Sequence, residues 1–536
     1  MTTPTVMPLT NIHQYDSMIG INISQQDVGL ELQYRKSLLS DSQARYVMDA
    51  FCQAVKELTV DFYLTADKVP LLGGASEALV RRWNNNALRD PRTPVTKTIF
   101  TYAELDAFNM RLAAALAAQG VGPEVFVAVS FEKSRWAVVA MLGVIRSGGA
   151  FIMMDPSQPA KRLHHIYKVS RAHVIMASES TTGLALSLGP NVMVLGDNEK
   201  PWISNVDGST ISAPVQAASP ENTLYAVFTS GSTGTPKEVV IEHQNYAARI
   251  YGEIEAYGLT PASRFLQFSS YAWDACVSEQ LPVLVCGGCV CIPSDIERQQ
   301  SLAEAVTRMR ANCAVFTPPI ARNLNPDDFP TLRTLLLAGE RVLEKEMRLW
   351  CGRTLKVLYG PAECTPLSAT SQVLRGPAPT GIIGRPVGCR LWVTDPDNHE
   401  NLFPVGAVGE LLIEGPQVGR GYLHDLEKTK LAFIEPPLWL RDRNRSTSFR
   451  IYKTGDLVRH LEDGRLVHMG RKDTQVKVRG QRMELEELES QLRQICQDFD
   501  EVVVGLIEPK RETDTRSALV AFLYRSSHID QDCPTK

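Results

Sequence analysis

The sequence has no marked excess of charge of either sign and no long apolar run. Its 536 residues carry 56 Lys and Arg against 60 Asp and Glu, a formal net charge of −4. Without a Lys/Arg-rich block, binding to nucleic acid or to an anionic membrane surface is not predicted. The N-terminal MTTPTVMPLTNIHQYDS lacks a basic segment followed by an apolar one, and no stretch reaches membrane-spanning length. A cytoplasmic protein that binds neither nucleic acid nor membrane is predicted.

The sequence also lacks the evenly paired cysteines of a disulfide-stabilised secreted domain. Its eleven cysteines are an odd number scattered through apolar segments, so reduced, buried thiols are predicted. A metal site at Cys286, Cys289 and Cys291 is the alternative, but that segment reads as a strand with no second pair of ligands in range. With 44% hydrophobic and 22% charged residues, the composition is that of a globular protein long enough for two or three hydrophobic cores.

What is present is an alternation of apolar β-runs with helical patterns. Between about Thr101 and Arg450, runs such as VFVAVSF, HVIMAS and TLLLAG alternate with helical segments such as YAELDAFNMRLAAALAAQ, which predicts layered α/β sheets that are largely parallel. Earlier, INISQQDVGLELQYR reads as a strand, and an amphipathic helix follows it. The pattern changes again near Asp473, into a small α+β unit. We predict a leader over 1–75, a large α/β domain with a small barrel-like β part over 76–472, and a small domain over 473–536.

The most informative segment is LYAVFTSGSTGTPK, at residues 224–237. A short apolar strand leads into a loop of glycines, hydroxyl residues and a lysine, a composition suited to a flexible cradle for polyphosphate. A Ser/Thr/Gly-rich loop alone is more often a linker. The lysine lies three residues after the last glycine rather than next to it, which disfavours a P-loop NTPase. The residues predicted to contact phosphate are Thr229, Ser230, Ser232, Thr233, Gly234 and Lys237.

This segment resembles the phosphate-loop signature of the adenylate-forming superfamily, T-S-G-[ST]-T-G-x-P-K. Other strings occur before and after it in the family's order: FTYAELD precedes it, and YAWDACVSE, LYGPAE, GELLIEGPQVGRGYL, YKTGDL and GRKDTQVKVRGQRMELEELE follow it. Together they resemble the adenylation domains of nonribosomal peptide synthetases and, in general character, those of fungal hydroxamate siderophore synthetases. The leader resembles the C-terminal end of a condensation domain, whose pattern also runs from an L-x-x-Q-Y strand into a helix.

The resemblance implies a ligase that uses ATP and Mg²⁺ to convert an amino acid to aminoacyl-AMP. The amino acid would then pass to the phosphopantetheine of a carrier protein, and condensation and carrier domains of the same synthetase are the implied partners. The resemblance also implies roles for single residues: Glu363 binds Mg²⁺, Arg471 reaches the nucleotide, and Asp473 is the hinge on which a mobile small domain swings. Contacts with the nucleotide are implied for Tyr359, Gly360 and Asp456, the last through the ribose hydroxyls.

In YAWDACVSE, Asp274 matches the aspartate that pairs with the α-ammonium of the amino acid, a charge-assisted hydrogen bond. The other pocket positions implied by the family are mostly apolar and fall on Ala275, Ser278, Phe316, Leu336, Ala338, Leu358, Pro366 and Leu367. Ser278 stands where a bulky aromatic closes the pocket in domains specific for phenylalanine. A deep pocket that takes a long, uncharged side chain, such as that of an N5-acyl-N5-hydroxyornithine, is therefore expected.

The sequence departs from the family pattern at three places. Glu238 replaces the glycine usual after the lysine, and Ala362 replaces a threonine. No N-G-K-x-[DE]-R type motif, which carries a catalytic lysine in the family, is matched before Lys536, so slow adenylate formation by the chain as given is expected. Two alternatives stay open: an acyl-CoA or aryl-CoA ligase, which Asp274 opposes, and an inactive binding module, which Glu238 and Ala362 permit.

Overall fold

The computed structural model of the protein describes residues 5–8, 17–23, 28–34, 99–197, 218–229, 237–376, 378–441, 449–478, 481–496, 499, 501–507 and 518–524. Contacts between residues divide the chain into two compact units, 1–102 and 103–536. Residues 473–536 belong to the second unit, and the predicted domain boundary at Asp473 stays a prediction.

The described part of the first unit is a three-stranded sheet. Its strands are β1 (Thr5–Pro8), β2 (Ser17–Ile23) and β3 (Val28–Tyr34). The central strand β3 pairs in parallel with β1 and antiparallel with β2. The single strand predicted from INISQQDVGLELQYR is thus two strands, because the polar stretch SQQD interrupts its apolar alternation. The helix predicted after it lies outside the described residues.

The second unit begins with a seven-stranded sheet in the order β19-β9-β8-β5-β4-β6-β7. Its strands are β4 (Phe126–Ser130), β5 (Ala150–Met154), β6 (Val174–Ala177), β7 (Val192–Val194), β8 (Thr223–Thr229), β9 (Lys237–Glu242) and β19 (Gly421–Tyr422). Strands β4 to β8 are parallel, and β9 and β19 are antiparallel additions at one edge. Every residue of β4 is buried, as expected of a parallel strand covered on both faces.

Among the described residues, four helices accompany this sheet in the chain: α1 (Tyr102–Ala118), α2 (Arg135–Arg146), α3 (Ala160–Ser170) and α4 (Thr182–Leu188). Helix α2 begins after Ser134, whose side chain accepts a hydrogen bond from the amide of Trp136. Between β5 and β6, α3 packs Leu163 and Ile166 into the apolar core of the sheet. The predicted alternation of strand and helix is confirmed here.

The second sheet has twelve strands, eleven of them in the order β11-β10-β12-β13-β14-β15-β16-β22-β21-β18-β17, with β20 paired to β21. The strands are β10 (Arg264–Leu266), β11 (Cys289–Cys291), β12 (Cys313–Phe316), β13 (Thr334–Leu337), β14 (Thr354–Tyr359), β15 (Ala369–Thr370), β16 (Ile382–Pro386), β17 (Arg390–Thr394), β18 (Val408–Glu414), β20 (Phe433–Ile434), β21 (Ile451–His460) and β22 (Leu466–Arg471). Strands β10 to β14 are parallel and the others antiparallel. The antiparallel β part therefore continues the parallel sheet.

Short helices connect these strands. They are α5 (His243–Tyr257), α6 (Ala275–Ser278), α7 (Leu281–Val285), α8 (Asp295–Gln300), α9 (Leu302–Arg308), α10 (Pro318–Arg322), α11 (Glu344–Trp350), α12 (Leu426–Ala432) and α13 (Leu438–Arg441), with 3₁₀ turns at Pro326–Asp328 and Ala362–Cys364. Among the described helices, none has both the length and the apolar character needed to cross a membrane.

In the C-terminal part of the second unit, the described residues form two hairpins and a helix. The elements are β23 (Gln475–Val478), β24 (Gln481–Glu484), α14 (Leu485–Ile495), β25 (Glu501–Ile507) and β26 (Ala518–Tyr524). The α+β character predicted for this segment is confirmed. The sequence pattern predicts a helix over MELEELESQLRQICQ, but the helix begins at Leu485 rather than at Met483, because residues 481–484 pair with β23 as a strand.

Candidate active site

Strands β8 and β9 hold the two ends of the predicted phosphate loop against each other. Thr229 and Lys237 are register partners in this antiparallel pair, and the Thr229 hydroxyl donates to the Lys237 carbonyl at 3.4 Å. The residues between them, Ser230, Ser232, Thr233 and Gly234, lie outside the described residues. The described geometry therefore fixes where this segment starts and ends on the first sheet.

Lys237 also contacts the C-terminal part of the chain. Its ammonium nitrogen lies 3.6 Å from Oε1 of Glu484 at the end of β24. Glu484 is buried, and the side-chain amide of Gln475 donates to the same oxygen. A phosphate group that binds Lys237 therefore competes with a buried carboxylate for this ammonium group.

Glu238, the departure from the family's glycine, lies on β9 opposite Phe228. Only 7% of its surface is exposed, and burial raises the pKa of its carboxyl from 4.5 to about 7. Nε2 of His165 is 4.0 Å from its Oε1. Because the fold favours the protonated form, the stability that Glu238 contributes is fully present below pH 4.5 and is lost as the pH rises through about 7.

Glu238→Gln is expected to make binding of MgATP less dependent on pH. At pH 8 the wild-type carboxylate adds negative charge beside Lys237, so the variant should show a KM for MgATP lower by about threefold, the size of a screened charge interaction. At pH 6 the carboxyl is mostly protonated, and the two proteins should agree. Steady-state kinetics at both pH values measure this, and equal KM values at pH 8 would show that Glu238 points away from the phosphates.

Glu363 lies in the 3₁₀ turn after β14 and is fully buried. The hydroxyl of Tyr422 donates a hydrogen bond to Oε1 of Glu363 at 3.0 Å. The backbone carbonyl of Glu363 accepts a hydrogen bond from the amide of Gly419 at 2.9 Å. Tyr422 is in turn the register partner of Val239 on β9. These contacts place the Glu363 carboxylate beside the strand that begins with Lys237.

The turn around Glu363 requires unusual backbone geometry. The buried residue Thr365 has φ +56°, a left-handed conformation that is strained for a β-branched residue. Its hydroxyl donates to the Gln417 carbonyl at 2.6 Å. A Cβ at Gly360 would lie 2.0 Å from the carbonyl oxygen of Pro366, so only glycine allows the chain to pass there. Gly360 thus allows the close packing that sets the position of Glu363.

Asp456, in the middle of β21, is the centre of a polar cluster that includes the last residues of β14 and β22. Its carboxylate accepts hydrogen bonds from the Tyr359 hydroxyl at 2.5 Å and from Nη1 of Arg471 at 2.7 Å, with Nε2 of His468 at 3.3 Å. The Arg471 guanidinium also donates twice to Asp473, each time at 2.6 Å. The structure therefore brings together Tyr359, Asp456, Arg471 and Asp473, which the sequence assigned to nucleotide contact and to the hinge.

Asp274 lies half-buried at the start of α6, and its carbonyl accepts the amides of Val277 and Ser278. The preceding loop is fixed by a buried network. The carboxylate of Glu279 accepts the amide of Ser269 at 3.0 Å and the side-chain amide of Gln267 at 2.9 Å. Since this network fixes the loop, it also fixes the position of Asp274.

Lys133 completes this network from the end of the first sheet. Its ammonium donates to Gln267 at 2.7 Å and lies 4.1 Å from the ring centre of Tyr271. Burial lowers the pKa of Lys133 from 10.5 to about 8 and raises the pKa of Glu279 from 4.5 to about 7. Both side chains thus titrate near neutral pH, so the charge beneath the Asp274 loop changes in that range.

The predicted pocket residues divide between two apolar clusters. Leu336, Leu358 and Leu367 are buried in one cluster, against which Ala338 packs. Phe316 lies in the other cluster and contacts Phe268 edge-on, with ring centres 5.0 Å apart. The division follows the alternation of side chains along parallel strands. Ser278 is also buried, and Ala275 and Pro366 are half-buried.

Several residues of this site were missed in the sequence. Lys133, His468, Glu484 and Tyr422 contact the predicted residues but carried no signal beyond ordinary charge or aromaticity. Glu279 lies within YAWDACVSE, and a second carboxylate at the end of this largely apolar stretch could have indicated it.

Comparisons with known proteins agree with this geometry. The family model for AMP-binding enzymes matches residues 78–423. The chain is 41% identical over 93% of its length to the nonribosomal peptide synthetase fmqA of Aspergillus fumigatus, and 38% identical over 97% of its length to subunit 2 of the D-lysergyl-peptide-synthetase of Epichloe festucae var. lolii. It spans 13% and 40% of the length of those two proteins.

A solved structure shares the fold. The Vibrio cholerae adenylation domain AlmE, in complex with glycyl-adenosine-5'-phosphate, superposes with a TM-score of 0.70 at 23% identity, covering 84% of this chain and 89% of that one. The likeness agrees with the layered α/β architecture. The chain belongs to the AMP-binding enzyme family of adenylate-forming ligases, and it is similar to fungal nonribosomal peptide synthetases.

Proposed function

We propose that the chain activates an amino acid as aminoacyl-AMP, with release of pyrophosphate, for transfer to the phosphopantetheine of a carrier domain. The observation that carries this proposal is Asp274, a half-buried carboxylate at the start of α6 on a loop fixed by Glu279 and Lys133. An acyl-CoA or aryl-CoA ligase has no ammonium group to bind, so a carboxylate at this position would have no substrate group to pair with.

In the proposed reaction the substrate carboxylate attacks the α-phosphorus of ATP and pyrophosphate leaves. Such a reaction needs positioning and charge neutralisation more than an acid–base pair. Lys237 neutralises phosphate charge, and Asp456 holds the ribose through its two acceptor oxygens. Asp274 orients the amino acid through its ammonium group, so that the carboxylate and the α-phosphorus meet.

Glu363 fits a magnesium ion that arrives with the nucleotide. Within the described part of the chain, no group of three or more His, Cys, Asp and Glu side chains could hold a metal by itself. Mg²⁺ bound by the phosphates of ATP needs only one or two protein carboxylates, and Glu363 supplies one next to the strand of Lys237. There the ion would neutralise charge on the phosphates.

The proposal also names the carrier and condensation domains with which the chain would act. The two fungal relatives are far longer than this chain, and a solved protein containing adenylation and PCP domains has the same fold, with a TM-score of 0.68. We infer that a carrier domain accepts the activated amino acid and that a condensation domain precedes the chain, as its leader indicates.

For the substrate, we propose a long side chain without formal charge, of which an N5-acyl-N5-hydroxyornithine is one example from the sequence resemblance. Ser278 is small and buried. Ser278→Trp is therefore expected to lower kcat/KM for long side chains by about 100-fold and to spare alanine and glycine. Exchange kinetics measure this, with thermal unfolding as the control for folding. If alanine or glycine were the best substrate of the unmutated chain, the deep pocket would be refuted.

ATP–pyrophosphate exchange over a panel of acids tests the function itself. Dependence on an amino acid supports the proposal. Dependence on a fatty or aryl acid would instead assign a CoA ligase, and the absence of exchange with every acid would assign a binding module without activity.

A further inference from the structure

Helix α5 carries an ion pair that is fully withdrawn from solvent. Arg249 and Glu253 lie one turn apart, Nη2 of the arginine is 2.6 Å from Oε2 of the glutamate, and both side chains are 0% exposed. The Tyr246 hydroxyl donates to the same carboxylate oxygen at 3.4 Å. The carboxylate raises the pKa of Arg249 further above its ordinary value, against the opposing effect of burial. Burying two charges is costly, and the mechanism described above does not use this ion pair.

The ion pair lies among the parts of the proposed amino-acid site. Tyr257, near Glu253 on the same helix, packs in the apolar cluster of Leu336, Leu358 and Leu367. The buried phenol of Tyr225 lies within electrostatic range of both Asp274 and the ion pair. Tyr257 thus connects the ion pair to the apolar pocket residues, and Tyr225 lies within range of both the ion pair and the carboxylate proposed to bind the ammonium group.

Several buried polar atoms around the ion pair have no hydrogen-bond partner among the described residues. They are Nε and Nη1 of Arg249, Oε1 of Glu253, Oγ of Ser278 and the hydroxyl of Tyr225. Buried polar atoms in folded proteins are nearly always hydrogen-bonded, to protein or to water. This cluster offers two guanidinium donors and one carboxylate acceptor on neighbouring side chains, a combination that a ligand or ordered water can satisfy.

We propose that Arg249 and Glu253 determine the specificity of the amino-acid pocket, and that they select a side chain ending in a neutral group that both accepts and donates hydrogen bonds, a carboxamide in the first place. The inference rests on the proposed function and names the substrate class of the same site. The carbonyl oxygen of a carboxamide accepts from Arg249, and its NH₂ group donates to Glu253.

Other side chains fit these atoms less well. A charged side chain would add an uncompensated charge beside a balanced, buried ion pair. An apolar side chain would displace water and leave the guanidinium and carboxylate atoms unpaired. A hydroxamate shares the chemistry of a carboxamide, since it also accepts and donates without formal charge, so the experiment compares the two directly.

The test is ATP–pyrophosphate exchange by the full chain with glutamine, asparagine, an N5-acyl-N5-hydroxyornithine, leucine and methionine. Two doubly substituted proteins are compared with the wild type. Arg249→Met with Glu253→Leu replaces the ion pair by apolar groups. Arg322→Met with Glu346→Gln is the control, because it removes another largely buried ion pair, on α10 and α11, whose neighbours pack in the apolar cluster of Phe316 rather than in that of Leu336.

The wild type and the control should prefer a carboxamide over leucine. The Arg249/Glu253 double variant should lose about 100-fold in kcat/KM for the carboxamide and change little for leucine, because a site built for hydrogen bonds discriminates strongly and an apolar one does not. If the hydroxamate is the preferred substrate, the shared donor–acceptor chemistry is supported and the carboxamide assignment is overturned.

Glu253→Gln keeps the test decisive if the double variant does not fold, which thermal unfolding will show. It keeps the volume but removes the carboxylate, and the preference for the carboxamide should fall about tenfold. Preference for leucine or methionine in the wild type, or an unchanged preference in every folded variant, overturns the inference and means that water alone satisfies the ion pair. Absence of exchange with any amino acid overturns the proposed function itself, a separate outcome.

Discussion

Replacing Asp274 by alanine is expected to lower amino-acid-dependent ATP–pyrophosphate exchange strongly while leaving nucleotide binding nearly intact. The carboxylate lies on a loop that Lys133 and Glu279 fix from below, so the loop should keep its shape without it. A charge-assisted hydrogen bond contributes about 1.5–3 kcal/mol, and each 1.4 kcal/mol corresponds to about tenfold in binding. The loss in kcat/KM for the amino acid should therefore be about 10-fold to 150-fold, or larger where the ammonium also orients the attack.

Two further variants make this result specific. Asp274→Asn keeps the shape and removes the charge, and it should behave like the alanine variant if the charge binds the ammonium. Asp327→Ala removes an exposed carboxylate on a 3₁₀ turn outside the site and should match the wild type. Calorimetric titration with ATP should give similar affinities for all four proteins. Full amino-acid-dependent exchange by Asp274→Ala would contradict the assignment and favour the CoA-ligase alternative.

Local patterns in the sequence predict much of the fold. The buried strand β4 reads as a continuous apolar run, and the hydrogen bond that Ser134 accepts at the start of α2 is a local effect. The two errors described above have different causes. The first is local, because the polar stretch SQQD separates β2 from β3, whereas residues 481–484 form a strand only because β23 lies beside them. Pairing between strands is a tertiary interaction that helical periodicity does not show.

The residues of the candidate site were also predictable from the sequence only in part. Tyr359, Asp456 and Arg471 lie in separate segments whose composition resembles family motifs, and the structure brings them into one hydrogen-bonded cluster. Arg249 and Glu253 gave no signal, because an Arg and a Glu one turn apart on a helix read as an exposed ion pair. Only the packing of α5 against the second sheet reveals their burial. Lys133 was also missed, because its hydrogen-bond partners lie more than 130 residues away in the sequence.

Glu363→Gln is expected to produce the second large effect, in the use of MgATP. The glutamine keeps the volume of the buried side chain and can still accept the hydrogen bond of Tyr422, so the turn should stay folded. It removes the negative charge that Mg²⁺ requires of a protein ligand. We expect kcat/KM for MgATP to fall by about 100-fold, with the defect largest at low Mg²⁺ and reduced as Mg²⁺ is raised.

Tyr422→Phe separates the charge of Glu363 from its orientation. The phenylalanine leaves the carboxylate in place and removes the one hydrogen bond that Tyr422 donates to its Oε1, so a smaller loss of about tenfold is expected, the usual size of an effect exerted through a ligand's neighbour. Exchange kinetics over a range of Mg²⁺ concentrations measure both variants, with thermal unfolding as the control.

If Glu363→Gln lowered activity equally at every Mg²⁺ concentration, Glu363 would act through the backbone of its turn, where Gly419 donates to its carbonyl and Thr365 holds a left-handed conformation. A defect that Mg²⁺ relieves, larger in Glu363→Gln than in Tyr422→Phe, is the result that places the ion at this carboxylate.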